Sequence, residues 1–139
     1  YVTDNSELEK FAKLIKSHTT VGSYLIFDFW NCLAVHQFGL QKNEVPYKLE
    51  NGLTLIRKVA PTGLVSEHVW SLDIELLVKD ENGKLIENAA EVHYMRCYTS
   101  EFLQNLFCDT FEFVAEIDLK LKSPYNGENF GATLILRRK

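Results

Sequence analysis

Cysteine is scarce in this chain, and its spacing is uninformative in a useful way. Cys32, Cys97 and Cys108 are an odd number, far apart, with no C-x-x-C. That argues against a disulfide framework or a zinc site and makes reduced thiols in a cytoplasmic protein the default. Cys97 and Cys108 have no activating neighbour in sequence, so both read as buried, inert thiols. Positive charge is not in excess either. Fifteen Lys and Arg stand against nineteen Asp and Glu, a formal net charge of -4. This argues against a nucleic-acid or anionic-membrane surface. The one basic cluster, Arg137-Arg138-Lys139, reads as a solvated tail. No stretch approaches the ~18 apolar residues of a membrane span. Tyr1 to Ser6 is polar, unlike a signal peptide. There is no initiator Met, as expected of a chain that begins inside a longer protein. No internal repeat or low-complexity segment is present.

What is there is enough for one domain with a real core: 139 residues, 46% hydrophobic and 24% charged,. The most telling stretch is Tyr24-Leu25-Ile26-Phe27-Asp28-Phe29-Trp30-Asn31. An almost wholly apolar run of this length reads as a parallel strand buried on both faces. Ligands in open α/β sheets sit beyond the carboxyl ends of such strands, so chemistry is expected at Asp28 to Asn31.

Upstream, Ser6 and Glu9 have capping-box spacing. Leu8, Phe11, Ala12 and Ile15 then give one apolar face, predicting a helix over 6–18,. Downstream the pattern blurs through Gln41. It then becomes antiparallel: a strand over 53–59 after a turn at Glu50-Asn51-Gly52, and a reversal at Pro61-Thr62-Gly63. An alternating strand follows over 68–78, with Trp70, Leu72, Ile74, Leu76 and Val78 on one face. The Asn82-Gly83 hairpin signal leads to a further strand over 84–97. Thr99 is a good N-cap for a helix over 99–108. Phe113, Ala115, Ile117, Leu119 and Leu121 alternate as one face of a strand over 112–121. A last strand runs over 132–137. The aromatics Phe27, Phe29, Phe102, Phe107, Phe111, Phe113 and Phe130 follow these periods and read as core. The strand at 24–31 must find its sheet neighbours in the last two strands, in another chain, or in residues not present.

Three ordered motifs now resemble a family. Tyr1-Val2-Thr3-Asp4-Asn5-Ser6-Glu7-Leu8 resembles a "Y-x-T-x-N-x-x-L" lead-in to a helix. His18-Thr19-Thr20-Val21-Gly22-Ser23-Tyr24-Leu25-Ile26-Phe27-Asp28-Phe29-Trp30-Asn31 resembles "L-K-P-G-G-x-x-x-F-D-x-W-N". Glu91-Val92-His93-Tyr94-Met95-Arg96-Cys97-Tyr98-Thr99 resembles "E-x-H-x-x-R-x-F-T". In this order they are similar to the C-terminal half of a class I S-adenosylmethionine-dependent methyltransferase. The nearer resemblance is to the small-molecule and sugar N-methyltransferase-like group, which carries an antiparallel insertion after the fifth strand. Departures are a Thr20-Val21-Gly22-Ser23 turn without Pro, and Cys108-Asp109-Thr110-Phe111 where the family has Ala-Gly-Phe.

The resemblance implies an α+β fold, a partial Rossmann-like α/β arrangement. The last three strands of a methyltransferase sheet would join an antiparallel meander and two main helices in a single domain. Residues 1–31 would be the helix and buried strand, 44–98 the meander covering substrate, and 99–139 the helix and two final strands. The complete enzyme would transfer a methyl group in line to a nitrogen or oxygen of a small acceptor by holding the reactants at near-attack distance. No two of the seven glycines form G-x-G, so the loop that grips the donor is missing and the chain alone is expected to be inactive, binding S-adenosylmethionine weakly at most.

Asp28, Trp30 and Asn31 would face the acceptor pocket; their plain reading is a turn cap and core. His93 is a candidate general base, or a hydrogen-bonded structural residue. Arg96 is a candidate substrate contact that reads more simply as a partner of Glu91, Asp73 or Glu75. Tyr1 would border the cofactor, and Tyr1 and Asn5 at a chain end are expected to fray. No metal site is expected. An open edge at 24–30 predicts a partner, either the missing N-terminal half or a second copy in a homodimer with exchanged strands. The alternative from another class is a small α+β module enclosing an apolar ligand.

Overall fold

The computed structural model describes residues 2–120 and 123–139. Contacts divide them into two compact units: Leu40–Met95, and Val2–Gly39 together with Arg96–Lys139.

In the second unit, helix α1 spans Asn5–Ser17. Its cap is Asp4, not Ser6. The Asp4 carboxylate accepts from the Ser6 amide at 2.8 Å and the Glu7 amide at 3.2 Å, and Ser6 lies inside the first turn. The acid in this position satisfies two otherwise orphaned donors. Strand β1, Tyr24–Asn31, follows with the predicted bounds. It pairs antiparallel with β7, Gly131–Arg138, along its length, from Tyr24 opposite Arg137 to Trp30 opposite Gly131. It meets the end of β5, Leu85–Tyr98, in parallel at Trp30–Cys97 and Asn31–Tyr98. β6, Phe111–Asp118, pairs antiparallel with β7. The last two strands therefore do supply β1 with a neighbour.

β1 is not buried on both faces. Leu25, Phe27, Phe29 and Asn31 turn inward, while Tyr24 and Ile26 are 58% and 60% exposed. The inward face meets Leu103 and Phe107 of helix α3, Ser100–Phe107, with Phe111, Ala132, Leu134 and Leu136 completing a fully apolar core. Ala12 and Ile15 of α1 pack against that core. Thr99 caps α3 as its sequence predicts, accepting from the Phe102 amide at 3.1 Å. Expectations for β6 hold less well. A bulge between Phe113 and Ala115 shifts the register, so Phe113 is 51% exposed. An extra residue reverses the side-chain parity behind it. Leu121, assigned to this strand's apolar face, lies outside the described residues. Phe102 is also exposed rather than core.

Arg137-Arg138-Lys139 is not a tail. Arg138 Nη1 donates to the carbonyls of Lys16 and Thr19, the latter at 2.6 Å, so a cation closes the C-terminus of α1,. Lys139 Nζ donates to the Cys108 carbonyl at 2.5 Å. The blurred region after Asn31 contains a further helix, α2, Cys32–Phe38.

The first unit is antiparallel, in the order β2, β3, β4, β5. β2, Asn43–Lys48, is a strand the sequence pattern did not mark; it is an edge strand and tolerates Pro46,. Its turn into β3, Thr54–Ser66, puts Asn51 and Gly52 at φ 80° and 79°, the conformation of a tight hairpin,. Pro61-Thr62-Gly63 does not reverse the chain. It is a bulge inside β3, and the reversal comes at Glu67-His68 before β4, Val69–Lys79. Leu72 and Ile74 are buried and Asp73 and Glu75 exposed, as the alternation predicts. At the next turn the Asp80 carboxylate accepts from the Asn82 and Lys84 amides, with Gly83 alone at positive φ.

Candidate functional site

The carboxyl end of β1 lies in the second unit and is built by three segments. Asn31 is 4% exposed, and its side-chain oxygen accepts from the Leu33 amide at 2.9 Å. It is the N-cap of α2, which starts there because the amide ends the strand and satisfies the helix's first donors. Trp30 is half-buried between Cys97 and Gly131 in register. Asp28 is exposed in mid-strand opposite Thr133, on the same open face as Tyr24 and Ile26, and caps no turn.

Arg96 does not pair with Glu91, Asp73 or Glu75. Its Nη1 donates to the Thr3 carbonyl at 3.0 Å and to Asn5 Oδ1 at 2.7 Å. Its guanidinium carbon lies 5.0 Å from the Tyr98 ring centre and 5.5 Å from that of Phe102. Tyr98 donates its hydroxyl to the Val2 carbonyl. Burial pushes the Tyr98 phenol above its ordinary value, with the Arg96 charge pulling the other way. The segment before α1, expected to fray, is thus tied down at Val2, Thr3 and Asn5. Tyr1 lies outside the described residues.

Cys97 is fully buried, and Cys32 beside it is 3% exposed. The Cys32 thiol donates to Cys97 Sγ at 2.6 Å. That hydrogen bond draws the Cys97 thiol below its ordinary value; the same bond, with burial, pushes Cys32 up. The sequence gives no hint of this, since the two residues are 65 apart. Cys108 is exposed, against the expectation of burial.

His93 belongs to the first unit. Its Nε2 lies 2.8 Å from Glu91 Oε2, two residues away on one face of β5,. A carboxylate that orients an imidazole is the arrangement a general base uses. The same unit holds a cleft of about 350 Å³ lined by Lys42, Glu44, Lys58, Asp73 and Glu75 among others. Lys58 stands 3.9 Å from both Glu44 and Glu75. Five of its lining residues are ionisable and none comes from a helix, unlike the apolar enclosure by a sheet and two helices that the alternative binding module calls for.

A donor cradle of the Rossmann kind needs glycines between a strand and a helix N-terminus. The β1–α2 junction is Trp30-Asn31-Cys32-Leu33, without glycine. The residues present do not fit that part of S-adenosylmethionine binding.

No known protein-family signature matches the chain, and no curated protein matches it. Solved structures do. A S-adenosylmethionine-dependent methyltransferase from Clostridium acetobutylicum matches with a TM-score of 0.72 at 18% identity, over 99% of this chain and 53% of that one. DesVI of Streptomyces venezuelae matches at 0.74 and 11%, over 100% and 54%. CalS10, an amino pentose methyltransferase from Micromonospora echinaspora, matches at 0.67 and 16%, over 99% and 53%. The chain spans about half the length of each. No helix among the described residues is long and apolar enough to cross a membrane. The chain has the fold of about half of a small-molecule S-adenosylmethionine-dependent methyltransferase, consistent with the C-terminal half.

Proposed function

We propose that this chain is the acceptor side of an S-adenosylmethionine-dependent small-molecule methyltransferase. The observation that carries the reading is the structural match over essentially the whole chain to about half of several such enzymes. In this reading Trp30 and the exposed Asp28 line the acceptor pocket at the end of β1. Asn31 holds the strand-to-helix turn beneath them. Arg96 acts as a positioning residue that keeps the segment before α1 in place. His93, oriented by Glu91, is the candidate for removing a proton from an amine or hydroxyl acceptor,. The donor is gripped by residues outside this chain, and the chain alone is inactive.

A partner, either the missing half or a second copy, is expected along the edge of β1, where among the described residues pairing with β5 covers only Trp30 and Asn31,. Exposed apolar side chains on one face of a strand favour association,.

Isothermal titration of the chain with S-adenosylmethionine tests the division of labour. No saturable heat at micromolar donor is expected, and saturable micromolar binding overturns it. The coding sequence upstream of Tyr1 gives the second check. A strand followed by a G-x-G-x-G loop is expected there; an initiator Met at or near Tyr1 favours the ligand-binding module instead.

A further inference from the structure

We propose that Cys32, His36 and Cys97 form a binding site for a thiophilic divalent cation, with Zn2+ as the best fit. The two sulfurs and a ring nitrogen of His36 all lie within 4.8 Å of one another. Cys32 and His36 are four residues apart on α2, so they project from one face of the helix,. Cys97 reaches the same point from the end of β5, which the parallel register places beside Trp30. None of this is legible in the spacing of the cysteines, because the third ligand is a histidine and the second cysteine arrives through strand pairing.

The donor set selects the metal. Two thiolates and an imidazole suit Zn2+ and exclude Mg2+ and Ca2+, which take oxygen ligands. Zinc–sulfur bonds of about 2.3 Å in a tetrahedron hold two sulfurs roughly 3.8 Å apart. The 2.6 Å separation must therefore open by about an ångström as the cation enters, a shift within reach of cysteine rotamers. Both sulfurs are buried while His36 is exposed, which gives a dry thiolate floor with an entry path over the imidazole. Binding releases the thiol protons to solvent.

Co2+ titrated into the reduced chain under inert gas reads this directly. One equivalent per chain is expected, with thiolate-to-cobalt charge-transfer absorption, tetrahedral ligand-field bands, and displacement of both by Zn2+. His36→Ala, a surface change, is expected to weaken Co2+ binding on the order of 100-fold, at least what loss of an outer-shell partner costs, while circular dichroism of the metal-free chain stays the same. Cys97→Ser is expected to lower the charge-transfer intensity, and Cys108→Ser to change nothing. The proposal is overturned by absent charge-transfer absorption at millimolar Co2+. It is equally overturned by bands that survive His36→Ala and vanish in Cys108→Ser, or by a chain that takes up no metal after reduction of a Cys32–Cys97 cross-link.

Discussion

Arg96 and Tyr98 stand on the same face of β5, guanidinium over ring, and both donate to the segment that precedes α1. This pair joins the strand end to Val2, Thr3 and Asn5. Arg96→Ala removes two charge-assisted hydrogen bonds and the contact with two rings. A loss of about 2 kcal/mol is expected from urea unfolding. Arg96→Lys is expected to recover only part of it, because an ammonium cannot reproduce the planar stack.

Tyr98 supplies a pH dependence. Its phenol is held above the ordinary value by burial, and Tyr125 is shifted the same way by the same cause. The unfolded chain therefore loses these protons first. Stability is fully present below the unfolded value of about 10 and declines as pH rises from there through the folded values. A spectrophotometric titration of the six tyrosines should show a late component that shrinks in Tyr98→Phe. A single transition at the ordinary value in the folded chain would contradict it.

The two caps are a separate case. Asn31→Ala and Thr99→Ala each remove a side-chain acceptor from a helix N-terminus, and each is expected to cost about 1 kcal/mol. Asn31→Asp keeps the oxygen and should retain most of that stability. An Asn31→Ala chain as stable as the parent would free this amide for a purely substrate-binding role.

The two faces of the unit-two sheet should respond oppositely. Leu134 is fully buried, and Leu134→Ala is expected to cost about 3 kcal/mol by leaving a cavity,. Ile26 is 60% exposed, and Ile26→Glu should change monomer stability by less than about 0.5 kcal/mol. If a second copy covers this face, the same change lowers the light-scattering mass to that of one 16.0 kDa chain. A parent chain already at that mass at high concentration removes the second copy from the proposal.

Much of the element order was legible because it is local. The apolar period of α1, the Thr99 cap, the alternation of β4 and the bounds of β1 all follow from side chains within a few residues of each other,. Two elements, α2 and β2, were not legible. α2 is a seven-residue helix started by an amide that also ends a strand, and β2 is a short edge strand containing proline. Neither is long enough for a period to show. The bulges at Thr62 and Val114 were hidden for a related reason, since an added residue in one strand is visible only against its partner,.

What the sequence determined by itself was much of the apolar pattern and the order of all the elements but α2 and β2, and through three motifs the methyltransferase likeness that the solved structures support as a fold. Only the tertiary structure decided which polar groups meet. Asp4 instead of Ser6 caps α1. Arg138 closes that helix from the far end of the chain, and Arg96 turns to Thr3 and Asn5 instead of the meander acids. Cys97 converges on Cys32 and His36, which share a face of α2, although no spacing relates it to them. Periodicity reports on burial, which each element expresses locally. Hydrogen bonds and ligand sets depend on directed atoms brought together from distant segments, and only pairing of the strands sets those directions.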